Sequence, residues 1–162
     1  MGDNIPKVNW RRLPCNDFGY PKWIFILQIA ILERILTMDR LLQWGAIDSA
    51  RCPLCDQANE SHNHLFFERS YSGKVWSNVG TWQEEKHWAT TYATGQNIRS
   101  EVYQMCLAGA VYHIWIERNA RVFTQGQKEK GIMVRHIIQE IHVRGFVKSK
   151  IAKKLDTVNF YP

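Results

Sequence analysis

The sequence predicts a mainly α-helical fold: a small helical domain with one Cys-x-x-Cys…His loop, followed by a C-terminal helical hairpin. Three observations predict it. Apolar residues recur at helical spacing over two long C-terminal stretches, 99–123 and 132–151. Helix punctuation brackets shorter segments upstream, with Pro21 at a first helical position and Thr37 and Gly45 at the ends of another. Between these lies Cys52-Pro53-Leu54-Cys55, with His64-Leu65-Phe66-Phe67 just beyond it in a helix-forming context.

Residues 1–20 hold Pro6, Pro14, Gly19 and scattered charges without a period, so an irregular lead-in is expected, with Trp10 and Leu13 packing onto the domain behind it. Pro21 costs a helix nothing at its first position, because its missing N–H has no intrahelical partner there. Residues 22–35 are nearly all apolar, which predicts a helix buried on most faces; their β-branched content leaves a buried strand as the rival. Thr37 is an N-cap for a second short helix, 38–44, whose apolar face is Leu41, Leu42 and Trp44 and which Gly45 ends. Residues 47–60 read as loop, 61–68 as a short helix carrying His64, and Val75 and Trp76 open another.

A polar stretch with Trp82 and Trp88 joins the two halves, which gives a lead-in at 1–20, a first domain at 21–80, a linker at 81–98 and a hairpin at 99–155. In the first hairpin helix Val102, Cys106, Ala110 and Ile114 recur every four residues. Gly109 costs that helix about 1 kcal/mol and points to close approach by a neighbouring helix. In the second, Met133, Ile137 and Ile141 share one face, with Arg135, Gln139 and Arg144 opposite, and Gly145 ends or kinks it.

The chemistry is concentrated at 52–69. Two thiolates separated by two residues can fill two corners of a tetrahedral Zn²⁺ site, and His64 is close enough to return as a third ligand. A fourth is expected one helical turn later, where the chain reads Glu68-Arg69-Ser70. Arg69 cannot ligate, and it places a permanent positive charge beside the metal. His62, Glu68 or water remain as substitutes for that corner.

The 162 residues carry a formal charge of +6 and a pI near 9.3, which suits an acidic partner such as nucleic acid. Part of the excess is local, in Lys148, Lys150, Lys153 and Lys154. Arg69, Arg118, Arg121, Lys148 and Lys150 are the candidate phosphate contacts, and Trp82 and Trp88 the better candidates for stacking on a strand, although solvated faces and loop anchors are the commoner roles of such residues. Four cysteines, two of them isolated at Cys15 and Cys106, do not form a disulfide framework. No apolar signal region opens the sequence, and the apolar run 23–32 is too short to span a bilayer. An intracellular protein without a membrane segment is expected.

Several enzyme classes are disfavoured. No two aspartates are adjacent, so a polymerase metal site is absent, and there is neither a clustered set of acidic residues nor a glycine-rich phosphate loop. The His-x-Glu…Pro-Cys-x-x-Cys order of zinc deaminases is missing, since the histidine follows the cysteines.

Cys52-Pro-Leu-Cys55, Glu60-Ser61, His64-Leu-Phe-Phe67 and Ser72-Gly-Lys-Val-Trp76 resemble the zinc-binding domain that follows the polymerase in plant non-LTR (LINE-type) retrotransposon reverse transcriptases. Pro21-Lys22, Asp39-Arg40-Leu41 and Trp44-Gly45 extend the resemblance upstream, and Tyr112-His-Ile-Trp115 and Glu117-Arg-Asn-Ala-Arg121 extend it downstream. It implies zinc on Cys52, Cys55 and His64, with a family cysteine where Arg69 stands here. It further implies a non-catalytic auxiliary to reverse transcription that contacts RNA or DNA in nucleus or cytoplasm, with no small-molecule substrate and no membrane. The alternative is a zinc-free helical interaction or structural remnant with no nucleic-acid role.

Overall fold

The computed structural model describes residues 19–82, 98–124, 126 and 129–156. Most of the lead-in 1–20 and of the linker 81–98, Trp88 included, lies outside the described residues. Helix α1 spans Pro21–Ile31, α2 Met38–Gln43, α3 Ser70–Trp82, α4 Ile98–Phe123, α5 Lys130–Gly145 and α6 Ser149–Leu155, with a π-helical turn at His64–Glu68 between α2 and α3. The fold is mainly helical, as the periodicity predicts. Among the described residues the only β pairing is a single antiparallel bridge between Arg51 and Asn59.

Helix α1 differs from its expectation in two ways. It stops at Ile31 because Glu33 turns left-handed at φ 52°, with the Arg34 N–H donating to the Ile29 carbonyl and the Glu33 N–H to that of Ala30. These two bonds satisfy carbonyls that the helix end would otherwise orphan. It is also buried along one face rather than most: Trp23, Leu27 and Ala30 are inside, while Phe25 is 60% exposed. Helix α2 ends in the same kind of motif around Gly45 at φ 67°, with Ala46 N–H on the Leu41 carbonyl and Gly45 N–H on that of Leu42. Its apolar face lies outside the core, and Trp44 is 65% exposed where its periodic setting predicts burial.

The remaining helices share one apolar core. On α4, Val102, Cys106, Ala110 and Ile114 are buried at their four-residue spacing, with Met133, Ile137 and Ile141 of α5 against the same cluster. Gly109 is explained by Trp23: a Cβ there would stand 3.2 Å from the indole, so any larger residue would press on the Trp23 ring and α1 would have to give way. Helix α3 begins at Ser70, earlier than the Val75 start the sequence predicts, and carries Trp82 into the core against the edge of His142. Trp82 is therefore not a stacking platform. The second hairpin helix is cut at Gly145, because Ile151 and Leu155 of α6 pack where a side chain would project.

One buried ion pair ties the cysteine-bearing half to the C-terminal half. Glu60 is fully buried and accepts from Arg118 of α4, with Nη2 at 2.7 Å and Nε at 3.1 Å, and also from the Met38 N–H at 3.1 Å. Breaking a buried pair from one side strands a charge in the interior. Arg118→Met and Glu60→Gln are each expected to cost roughly 3–5 kcal/mol, and the double replacement less than their sum. Urea denaturation of the three variants checks this; additive losses would mean the two groups are not coupled.

Candidate metal centre

The centre is built on a short hairpin. Cys52 N–H donates to the Ala58 carbonyl and Glu60 N–H to that of Ala50, both at 2.8 Å, which closes 50–60 into a loop. Within it, Asp56 N–H reaches back to the Cys52 carbonyl and Asp56 adopts φ 53°, so the Cys-x-x-Cys turn brings both sulfurs to one side. Ser61 then starts the helical segment, its Oγ accepting from the His64 N–H at 3.1 Å.

From His64 the segment widens to a π-helical turn, which leaves carbonyls in need of donors. Helix α3 supplies them: Ser72 Oγ donates to the Leu65 carbonyl at 2.6 Å and Trp76 Nε1 to that of Phe66. Leu65 and Phe66 are thereby held wholly in the core, and His64 is turned toward the cysteines.

The ligand atoms of Cys52, Cys55 and His64 all lie within 4.8 Å of one another, with Cys55 Sγ 3.3 Å from His64 Nε2. The edges of a tetrahedron around zinc are about 3.4–3.8 Å for sulfur and nitrogen donors, so closure onto an ion needs only small side-chain shifts. The donor set fits zinc with three protein ligands. Among the described residues no further His, Cys, Asp or Glu joins this cluster, so neither His62 nor Glu68 is part of it. His62 instead lies edge-on to Phe66, and Glu68 is exposed.

Arg69 occupies the sequence position where a fourth ligand is expected. It is 3% exposed, its Nε donates to Ser72 Oγ at 2.8 Å, and its two terminal nitrogens have no hydrogen-bond partner. Burial pulls its pKa down to about 10, against the opposing pull of the charge on Cys52. The ligands respond to the same surroundings. Burial pushes the Cys52 thiol up. Burial acts upward on Cys55 too, but the backbone N–H groups of Gln57 and Ala58, the Cys52 thiol and the Arg69 charge outweigh it, and the net direction is down. Burial and then Arg69 hold His64 below the usual histidine value, which keeps it neutral and able to donate its lone pair to a metal.

The other sequence candidates are scattered. Arg118 is 3% exposed and committed to Glu60. Arg121 pairs with Glu117 at 2.8 Å and reaches the Leu54 carbonyl at 3.5 Å, so it borders the knuckle. Lys148 and Lys150 are exposed at the far end of the chain. Sequence reasoning missed the structural role of Glu60, whose only signal was its place beside Ser61 in the motif. It also missed Tyr71 and Lys130, which carry no motif, and Lys74, which sits inside Ser72-Gly-Lys-Val-Trp76 without a role assigned to it.

Residues 1–76 match the family model for zinc-binding in reverse transcriptase, a segment that contains both cysteines and the histidine. The segment is similar to zinc-binding domains of the reverse-transcriptase type, with Arg69 standing where the resemblance expects a fourth ligand; α4, α5 and α6 lie beyond the match. No curated protein and no solved structure matches the chain. No helix among the described residues is long and apolar enough to cross a membrane.

Two buried histidines, His64 and His142, and the half-buried His62 give the metal-free protein a pH signature. Burial lowers His62 to about 4 and also lowers His64 and His142 from 6.5. A base with a depressed native pKa binds fewer protons folded than unfolded, so stability falls as pH drops below 6.5 toward 4. His62 alone should remove on the order of 1 kcal/mol by pH 5, allowing for the part of its ring that still meets solvent. Urea denaturation of chelator-treated protein at pH 7.5 and pH 5 checks the sign, and His62→Leu should flatten the profile.

Proposed function

We propose that this chain is a non-catalytic, retroelement-derived zinc-knuckle module that contacts nucleic acid as an auxiliary to reverse transcription. On this reading it is related to the LINE-type elements of plants, and its place is inside the cell, in nucleus or cytoplasm. The observation that carries it is the convergence of Cys52, Cys55 and His64 within a segment of the matching family. Zinc bound there would act structurally, by clamping the 52–55 turn to the π-helical turn that roots in the core. The net charge of +6 supports an acidic partner, and the exposed Lys74, Lys130, Lys148 and Lys150 stand outside the buried ion pair that occupies Arg118. A non-catalytic role is supported by the lack of any adjacent aspartate pair in the sequence.

A second reading, a zinc-free helical remnant, is favoured by Arg69, because a buried arginine stands at the sequence position where the resemblance expects a ligand. Native mass spectrometry separates the two. One zinc per chain is expected in the wild type, and Cys52→Ser should lose it. Arg69→Cys should tighten binding about 100-fold, because structural zinc sites bind with roughly 10–16 kcal/mol and one thiolate contributes on the order of a quarter of that. Zinc in Arg69→Cys alone would favour the remnant, and zinc in neither would overturn the metal centre. The nucleic-acid arm is read from salt: affinity for an RNA oligonucleotide should fall linearly on a log–log plot as salt rises, since phosphate contacts release counterions.

A further inference from the structure

A cleft of about 600 Å³ opens beside the metal centre, between Cys55 on the knuckle, Tyr71 and Lys74 on α3, Arg121 on α4 and Glu129 to Gly131 at the start of α5. Its volume is in the range of roughly 300–1,000 Å³ typical of ligand sites. Its walls are basic on balance: Lys74, Arg121 and Lys130 line it with one carboxylate, Glu129, while a second, Glu117, pairs with Arg121 at 2.8 Å. Arg121 and Lys130 both lie over the ring of Tyr71, at 5.0 Å and 5.9 Å from its centroid, and Arg69 approaches the same ring at 5.2 Å. The ring thus gathers cations that would otherwise repel one another. The first turn of α5, which no side chain caps, opens on the same cleft and adds the positive end of a 16-residue helix.

Three cations and a helix N-terminus around one concavity are stabilised by an anion with several negative groups in series. The aromatic ring on the wall is not offered to a base. Tyr71 is only 6% exposed, its faces meet the cations, and its hydroxyl donates to Met133 Sδ at 3.3 Å. Charge is what the cleft recognises.

We propose that this cleft grips the phosphodiester backbone of a nucleic-acid strand without reading its bases, Lys74 and Lys130 supplying the mobile contacts and Arg121 the fixed one. The proposal rests on the nucleic-acid function and locates its phosphate site. The site spans both halves of the molecule, because Cys55 belongs to the knuckle and Lys130 to the C-terminal hairpin.

Fluorescence anisotropy with a labelled single-stranded RNA of mixed sequence, and with a second of unrelated sequence, tests it on the full chain. Lys74→Ala/Lys130→Ala should weaken both about tenfold and make the log–log salt slope shallower by about 1.4, or about 0.7 for each phosphate of a single strand that is no longer neutralised. Arg34→Ala/Arg135→Ala removes the same charge from exposed positions outside the cleft and should change affinity less than about twofold. All four side chains are exposed, and circular dichroism should show every variant folded. If the wild type binds and the cleft pair changes neither affinity nor slope, the cleft is not the phosphate site, while the nucleic-acid reading stands. If the wild type binds neither RNA at low salt, both fall. Displacement of RNA by inorganic triphosphate, or by polyglutamate, as readily as by unlabelled RNA would overturn the backbone assignment in favour of a small phosphate or an acidic peptide.

Discussion

The Glu60–Arg118 pair is the contact on which the arrangement of the whole molecule depends. Glu60 closes the hairpin that presents the cysteines through its backbone N–H, and its carboxylate, which meets no solvent, holds the first N–H of α2 and receives the guanidinium of α4. A carboxylate so buried is tolerable only with charge-assisted partners in good geometry. Arg118 is steadied in turn by the Trp115 ring, 5.1 Å from its guanidinium carbon. Next along the same helix, Arg121 pairs with Glu117 and reaches back to the Leu54 carbonyl. The segment 117–121 is therefore a bracket for the knuckle. The small cysteine-bearing loop has little core of its own and borrows rigidity from α4.

Most of the helical framework is legible in the sequence because it arises from periodicity and punctuation. The buried series Val102, Cys106, Ala110 and Ile114 is a direct consequence of the 3.6-residue repeat, and Gly109 signals the close approach that Trp23 makes. What periodicity cannot reveal is which apolar stripe receives a partner. Phe25 and Trp44 have the same local pattern as Trp23, yet they are exposed, since the neighbour that covers Trp23 comes from α4, more than eighty residues away. Helix ends without glycine are similarly hidden: nothing local forces Glu33 into the left-handed region. At the site, Cys52, Cys55 and His64 are legible because metal geometry restricts spacing. Of the cleft residues only Arg121 is a candidate from sequence, because Tyr71, Lys74 and Lys130 join it only through tertiary packing.

Arg69 shows why a lost ligand need not mean a lost site. Two thiolates and a neutral imidazole balance the charge of Zn²⁺, so a guanidinium beside such a centre faces no net positive charge, only the dipoles around the ion. Without metal, the charge of the same guanidinium helps draw the Cys55 thiol down, while burial pushes Cys52 up. Its remaining supports are independent of the metal: Ser72 Oγ accepts from Nε, and the Tyr71 ring lies 5.2 Å from Cζ. Arginine at this position is compatible with either state of the centre. Its guanidinium shares the Tyr71 ring with Arg121 and Lys130, so the position that departs from the pattern the resemblance implies is also a physical link between the knuckle and the basic cleft.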